Sequence, residues 1–210
     1  MLNGLSSMLS NYFDKGGIIF LILILLSLIS LSLIILKFFQ LRKFSLKEID
    51  KLIKSIKNSN NLKEFKNKNY FLEKKNNPIS KIINSYITIL TSDIKDKDKD
   101  SIIESTSFTE VKKLESLLPS LEIIGNISPL LGLLGTVTGM IASFNQLEIG
   151  GNLVDPAVLA GGIWTALLTT AIGLIVAIPA IISHHFFEKK ISIINESLYN
   201  ICIILKTRGR

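Results

Sequence analysis

The chain has 210 residues, 48% of them hydrophobic, and a mean hydropathy of +0.43, which argues against an ordinary soluble domain and for membrane segments. Its formal net charge is +7, from 24 Lys and Arg against 17 Asp and Glu. A basic chain raises nucleic acid as a partner, but the distribution of the charge, described below, argues against it. The single cysteine, Cys202, excludes an intrachain disulfide and leaves no thiolate set for zinc, so no metal site and no cofactor are expected.

The expected elements run as follows. Residues 1–16 form an external N-terminal segment. Residues 17–36, "GIIFLILILLSLISLSLIIL", form a first uncharged run long enough to cross the roughly 30 Å hydrocarbon core at 1.5 Å per residue. It is too long for a cleaved signal peptide, and "KFFQLRK" follows where a small-residue cleavage site would stand, so it reads as a retained anchor. Residues 37–122 form a polar domain with helical spacing in three places. These are Leu41, Phe44, Ile49, Leu52, Ile53 and Ile56, then Ile79, Ile82, Ile83, Tyr86, Ile87 and Leu90, then Ile103, Val111, Leu114 and Leu118. "KNSNN" and "KKNNP" read as linkers, and "DIKDKDKD", Asp93 to Asp100, as a solvated charge run.

Residues 123–144 form the second span, 145–162 an external loop, 163–183 the third span and 184–210 a tail. Lys and Arg sort sharply between these segments. Residues 37–120 hold 18 of the 24, the tail holds five, and 145–162 hold none. The positive-inside rule then places the polar domain and the tail in the cytoplasm and the N-terminus outside. Topology and anionic lipid account for the excess charge without nucleic acid. The expected fold is an all-α membrane protein with three transmembrane helices and long cytoplasmic helical extensions.

The last two spans each carry a small face. On a helix, Gly125, Ser128, Gly132, Gly135, Thr136, Gly139 and Ser143 fall within an arc of about 100°. Gly162, Ala166, Thr169, Thr170, Gly173, Ala177 and Ala180 fall within a similar arc, while Leu167, Leu168, Leu174, Ile175, Ile178 and Ile182 face the other way. Small residues let helix backbones approach in lipid, so Gly132, Gly135, Gly139, Gly162, Ala166, Gly173 and Ala177 are packing positions, expected to mediate homo-oligomer contacts. Threonines need a second reason, because their hydroxyls require partners. Thr136 lies roughly 4 Å, and Thr169 and Thr170 roughly 5 Å, on the outer side of their span centres, as a mid-membrane ring of hydroxyls would. Pro129 and Pro179 are expected to kink the two spans on the cytoplasmic side. No span holds an ionisable residue away from its ends. Proton relays usually include one, so either the chain moves no protons or a partner helix supplies the carboxylate. His184 and His185 read as interfacial residues, Trp164 as an outer-interface anchor, and Glu148 and Asp155 as loop charges. No nucleophile–base pair or phosphate loop is present, and an enzyme is not expected.

"SPLLGLLGTVTGMIASF" followed by "GGIWTALLTTAIGLIVAIPA" resembles the MotA/TolQ/ExbB proton-channel family, closest to ExbB and TolQ. The resemblance is strong from about Leu114 to Glu188 and covers the topology of the whole chain. Four-span flagellar stators of the MotA type fit less well. The resemblance implies a bacterial inner-membrane homo-oligomer, a pentamer, surrounding single-span ExbD- or TolR-like helices that each carry a membrane aspartate. It implies an ion-driven motor that uses the proton or sodium gradient to work on the outer membrane through a TonB- or TolA-like protein. It places pore threonines at Thr136 and Thr170, beside Thr169. Family members commonly carry a glutamate five residues before the second pore threonine. Thr165 stands there in this chain, a replacement consistent with sodium use, a divergent partner or a dispensable carboxylate. A non-conducting oligomeric scaffold is the rival reading, since it explains the small faces equally well.

Overall fold

The computed structural model describes residues 2–42, 44, 53–54, 78–90, 92, 95–150 and 156–209. All regular structure among them is helical: α1 (Leu2–Arg42), α2 (Pro78–Leu90), α3 (Asp96–Glu115), α4 (Leu118–Gly150) and α5 (Pro156–Gly209). Three helices are long and apolar enough to cross a membrane: α1 from Gly17 onward, α4 and α5. The chain divides into two compact units, Met1–Ile35 with Leu117–His185, and Leu36–Ser116 with Phe186–Arg210. Ile49, Leu52, Ile56, Asp155, the "KNSNN" linker and most of "KKNNP" lie outside the described residues.

In the first unit α4 and α5 form a hairpin. Each buries one stripe, mostly at three- and four-residue steps, the mark of a helix packed along its length. On α4 it comprises Leu121, Ile124, Ser128, Gly132, Gly135 and Ser143, and on α5 Ala166, Thr169, Gly173, Val176, Ala177 and Ala180. The bulky face is turned outward as expected, with Leu167, Leu174, Ile175, Ile178 and Ile182 all exposed. Both helices continue through Pro129 and Pro179, although each proline deprives a preceding carbonyl, of Gly125 and of Ile175, of its usual donor. The segment read as a loop, 145–162, is mostly helix: α4 runs to Gly150 and α5 begins at Pro156, so only 151–155 are left between them. Hydropathy marks where a helix leaves lipid, not where its backbone hydrogen bonds stop, and Pro156 is well suited to a first helical position.

In the second unit α2 packs on α3. The expected faces are buried at Ile83, Tyr86 and Ile87 on α2 and at Ile103, Val111 and Leu114 on α3. The Tyr86 hydroxyl pairs with that of Ser107. Part of the charge run forms the first turn of α3, where Asp98 and Lys99 both donate backbone N–H groups to Lys95 O. Beyond the membrane stretch α5 keeps a buried stripe, now of large residues: Phe187, Ile191, Ile194, Leu198 and Ile201. Their 4-3-4-3 spacing makes the supposed tail a core element.

Two lysines close helix ends in this unit. Lys37, only 1% exposed, donates from Nζ to Leu114 O at 2.7 Å and to Gln40 Oε1 at 3.0 Å. Lys190 Nζ donates to Leu41 O at 2.8 Å. Each reaches a carbonyl in the last turn of another stretch of helix, where cations are favoured, and Leu41 O also accepts from Phe44 N–H at 3.1 Å. At the end of α3, Ser116 N–H takes Lys112 O at 3.1 Å and Ser116 Oγ takes Lys113 O at 2.7 Å, so three successive carbonyls are satisfied. Pro119 enforces the stop, since it cannot donate to Glu115 O. Leu117 takes the left-handed conformation at the joint (φ 73) that glycine usually occupies after a helix.

Candidate functional site at the hairpin seam

The seam between α4 and α5 is a close backbone contact made by the small faces. A Cβ added to Gly132 would lie 3.0 Å from Thr169 O and 3.0 Å from Thr170 Cα. One at Gly173 would lie 2.6 Å from Ser128 O, and one at Gly139 would lie 3.0 Å from Ala166 Cβ. Gly135 faces the Thr169 side chain and Gly162 the Ser143 side chain, each with no room for a methyl group. The positions assigned to packing therefore do pack, but within one chain. The expectation that these faces form the homo-oligomer contacts does not describe their use here. Helical periodicity gives the direction of a face, and the short connection gives each small face its nearest partner in the same hairpin.

Hydroxyls follow a rule along these two helices. Ser128 Oγ donates to Ile124 O at 2.7 Å, Thr136 Oγ1 to Leu133 O at 2.6 Å, Ser143 Oγ to Gly139 O at 2.9 Å and Thr165 Oγ1 to Gly161 O at 2.9 Å. Each proton goes to the carbonyl three or four residues back, the usual resort of Ser and Thr in an apolar helix. Thr170 departs from it. Its Oγ1 donates across the seam to Gly132 O at 2.9 Å. Thr169, buried at 3% exposure, donates to Ala166 O at 2.7 Å, with Gly132 O a further 3.4 Å contact. Thr169 and Thr170 thus converge on one carbonyl, four residues before Thr136. Thr136 itself is partly exposed beside the seam rather than in it. A hydroxyl whose proton is committed to a carbonyl retains oxygen lone pairs, so Thr136 and Thr165 remain available as acceptors.

Thr165 lines a cavity of about 340 Å³ with Gly139, Ala142, Ser143, Gln146, Gly161 and Gly162. Ser143 and Gln146 are its further polar groups. Gln146 was assigned to the loop, although its spacing of seven from Gly139 and three from Ser143 puts it on the same α4 face. At the other end of the hairpin His184 Nε2 lies 3.9 Å from a carboxylate oxygen of Glu122 and its ring meets that of His185 edge to face. Among the described residues, no carboxylate or cation lines the seam between Ser128 and Gly173 or the cavity beside it.

Residues 74–199 match the model of the MotA/TolQ/ExbB proton channel family. The chain is 48% identical over 69 residues to the biopolymer transport protein exbB1 of Vibrio cholerae, covering 33% of this chain and 30% of that one. It is 39% identical over 100 residues to the Tol-Pal system protein TolQ of Pseudomonas aeruginosa, covering 44% and 43%. It is 39% identical over 90 residues to the biopolymer transport protein ExbB of Xanthomonas campestris, covering 43% and 35%. The matched regions thus span less than half the length of these relatives. The family match takes in the hairpin, its seam threonines and most of the second unit, and the chain belongs to the MotA/TolQ/ExbB proton channel family.

Proposed function

We propose that the chain is an ExbB/TolQ-like subunit of an inner-membrane ion-driven motor that couples the proton or sodium gradient to work on the outer membrane through a TonB- or TolA-like protein. The subunits form a pentamer around an ExbD/TolR-like single-span protein with a membrane aspartate. The N-terminus lies outside and residues 37–122 and 184–210 lie in the cytoplasm, as the Lys and Arg distribution requires. The observation that carries this reading is the seam itself. Threonine hydroxyls gather around Gly132 O with no ionisable side chain among them, so charge must come from the ion or from a partner. Committed hydroxyls at Thr136 and Thr165 offer oxygen to a hydronium, a sodium ion or a protonated carboxyl group, in a medium where a hydrogen bond to a charged group is worth roughly 1.5–3 kcal/mol. Pro129 and Pro179 shape the hairpin around this path.

The scaffold reading has one observation in its favour: the hydroxyls of Thr136, Thr165, Thr169 and Thr170 each already have a backbone partner. Ion flux into vesicles containing the chain with its single-span partner separates the two. Thr136→Val and Thr170→Val keep shape and remove a hydroxyl, so both variants should assemble normally and conduct less than wild type. Wild-type flux from both would leave the hydroxyls a packing role and favour the scaffold.

A further inference from the structure

The third span runs into "SHHFFEKK", residues 183–190. The helix α5 continues through this stretch without a break, so its side chains keep helical register. At 100° per residue, Glu188 falls about 40° from His184 and about 60° from His185, and the three share an arc of about 100°. The two imidazole rings meet edge to face with centroids 5.5 Å apart. A ring nitrogen of each histidine and a carboxylate oxygen of Glu188 all lie within 4.8 Å of one another.

A fourth donor comes from the other helix of the hairpin. Glu122 stands near the start of α4, and one of its carboxylate oxygens lies 3.9 Å from His184 Nε2. That is too long for a hydrogen bond. It is close to the spacing of two ligands on one tetrahedral metal, about 3.4 Å when each ligand lies about 2.0–2.2 Å from the ion. The widest gap among the α5 donors has to close by about 1.4 Å at most to reach the same spacing. Rotation of the exposed His185 and Glu188 side chains supplies that movement. The His184 side chain is only 12% exposed, whereas His185 and Glu188 are exposed, so the cluster is anchored on one side and open to an incoming ion on the other. Two carboxylates balance a doubly charged ion, which leaves no net charge to hold beside an apolar span. Imidazole nitrogen with carboxylate oxygen suits zinc and its late first-row neighbours, while magnesium and calcium prefer all-oxygen shells. The lack of a thiolate set does not bear on donors of this kind.

We infer that His184, His185 and Glu188 on α5, with Glu122 on α4, bind one divalent transition-metal ion of the zinc class, which ties the two helices together at the open end of the hairpin. The inference rests on the hairpin and is independent of ion conduction. Cobalt and zinc titrations test it. The full chain, with Cys202→Ser and an affinity tag free of histidine, is purified in detergent micelles and titrated with Co²⁺, then with Zn²⁺ in competition. Co²⁺ should saturate at one equivalent per chain with the intense visible bands of a four-coordinate ion. Zn²⁺ should displace it, and excess Mg²⁺ should not. His184→Gln, His185→Gln, Glu188→Gln and Glu122→Gln should each weaken Co²⁺ binding by about tenfold to a hundredfold. The four variants are read separately, so one lost to misfolding leaves the others decisive. Saturating Zn²⁺ should also raise the thermal unfolding midpoint of the Cys202→Ser chain and leave that of the same chain with His184→Gln and His185→Gln unchanged. Binding that fails to saturate at one equivalent, or equal affinity in the three α5 variants, would mean adventitious uptake by surface side chains. Equal affinity in Glu122→Gln would mean that the ion does not join the helices. Either result overturns the inference.

Discussion

Replacing Gly173 with alanine probes the seam at its tightest contact with backbone. The added Cβ would sit 2.6 Å from Ser128 O, 3.1 Å from Gly132 Cα and 3.3 Å from Gly132 N. All three are backbone atoms, so no side-chain rotation relieves the contact. A carbon meets a carbonyl oxygen at about 3.3 Å or more, so α4 and α5 must part by about 0.7 Å. That displacement stretches the 2.9 Å bond from Thr170 to Gly132 O to about 3.6 Å, beyond hydrogen-bond range. Overpacking costs about 1–3 kcal/mol, and an interhelical hydrogen bond in lipid is worth roughly 0.6 and at most about 1.7 kcal/mol. Helix propensity works the other way, returning about 0.8–1 kcal/mol for Gly→Ala. Gly161→Ala removes that ambiguity, because a Cβ there meets nothing within 4 Å and the propensity gain stands alone. The difference between the two variants should be about 2–4 kcal/mol, the sum of the packing and hydrogen-bond terms. Reversible unfolding in mixed micelles, followed by energy transfer between labels on α4 and α5, measures it. Equal stability of the two variants would refute the close-packed seam and the placing of Thr170 across it.

Lys37→Met should destabilise the chain by about 1–3 kcal/mol, since it leaves Leu114 O buried without its donor; thermal unfolding with Lys37→Arg alongside checks whether a cation restores it. Burial pushes the Tyr86 hydroxyl above its ordinary value, against the opposing hydrogen bond from Ser107. The unfolded chain then loses this proton first, so stability falls as pH rises above about 10, and Tyr86→Phe should flatten that part of an alkaline unfolding curve. Thr165→Glu should fold and assemble as wild type, because the cavity of about 340 Å³ beside Thr165 has room for the longer side chain; loss of the purified oligomer on size exclusion would show that room to be absent.

Composition and spacing were enough to reveal the three apolar helices, because hydropathy adds along a window of about 20 residues whatever the helix touches. Periodicity likewise separated the outward Leu174, Ile175 and Ile178 from the small face of Gly173 and Ala177, and marked Ile83, Tyr86 and Ile87 as buried. Tertiary structure alone decided what each face met. The small faces of α4 and α5 close on each other within one chain, a choice invisible to periodicity because a second copy would present the same face. It also decided where polar groups spend their protons. Lys37 ends an apolar run and reads as a charge that reaches for water, yet it turns onto Leu114 O, 77 residues away. Thr136 and Thr170 look equivalent in the sequence, but only Thr170 crosses the seam, because its partner is a carbonyl exposed by the missing side chain of Gly132. Local signals for other features were present: Pro119 for the joint at Leu117 and the 4-3 spacing of Phe187 to Ile201. Each acquires meaning only when a neighbouring element supplies something to cap, cover or turn against.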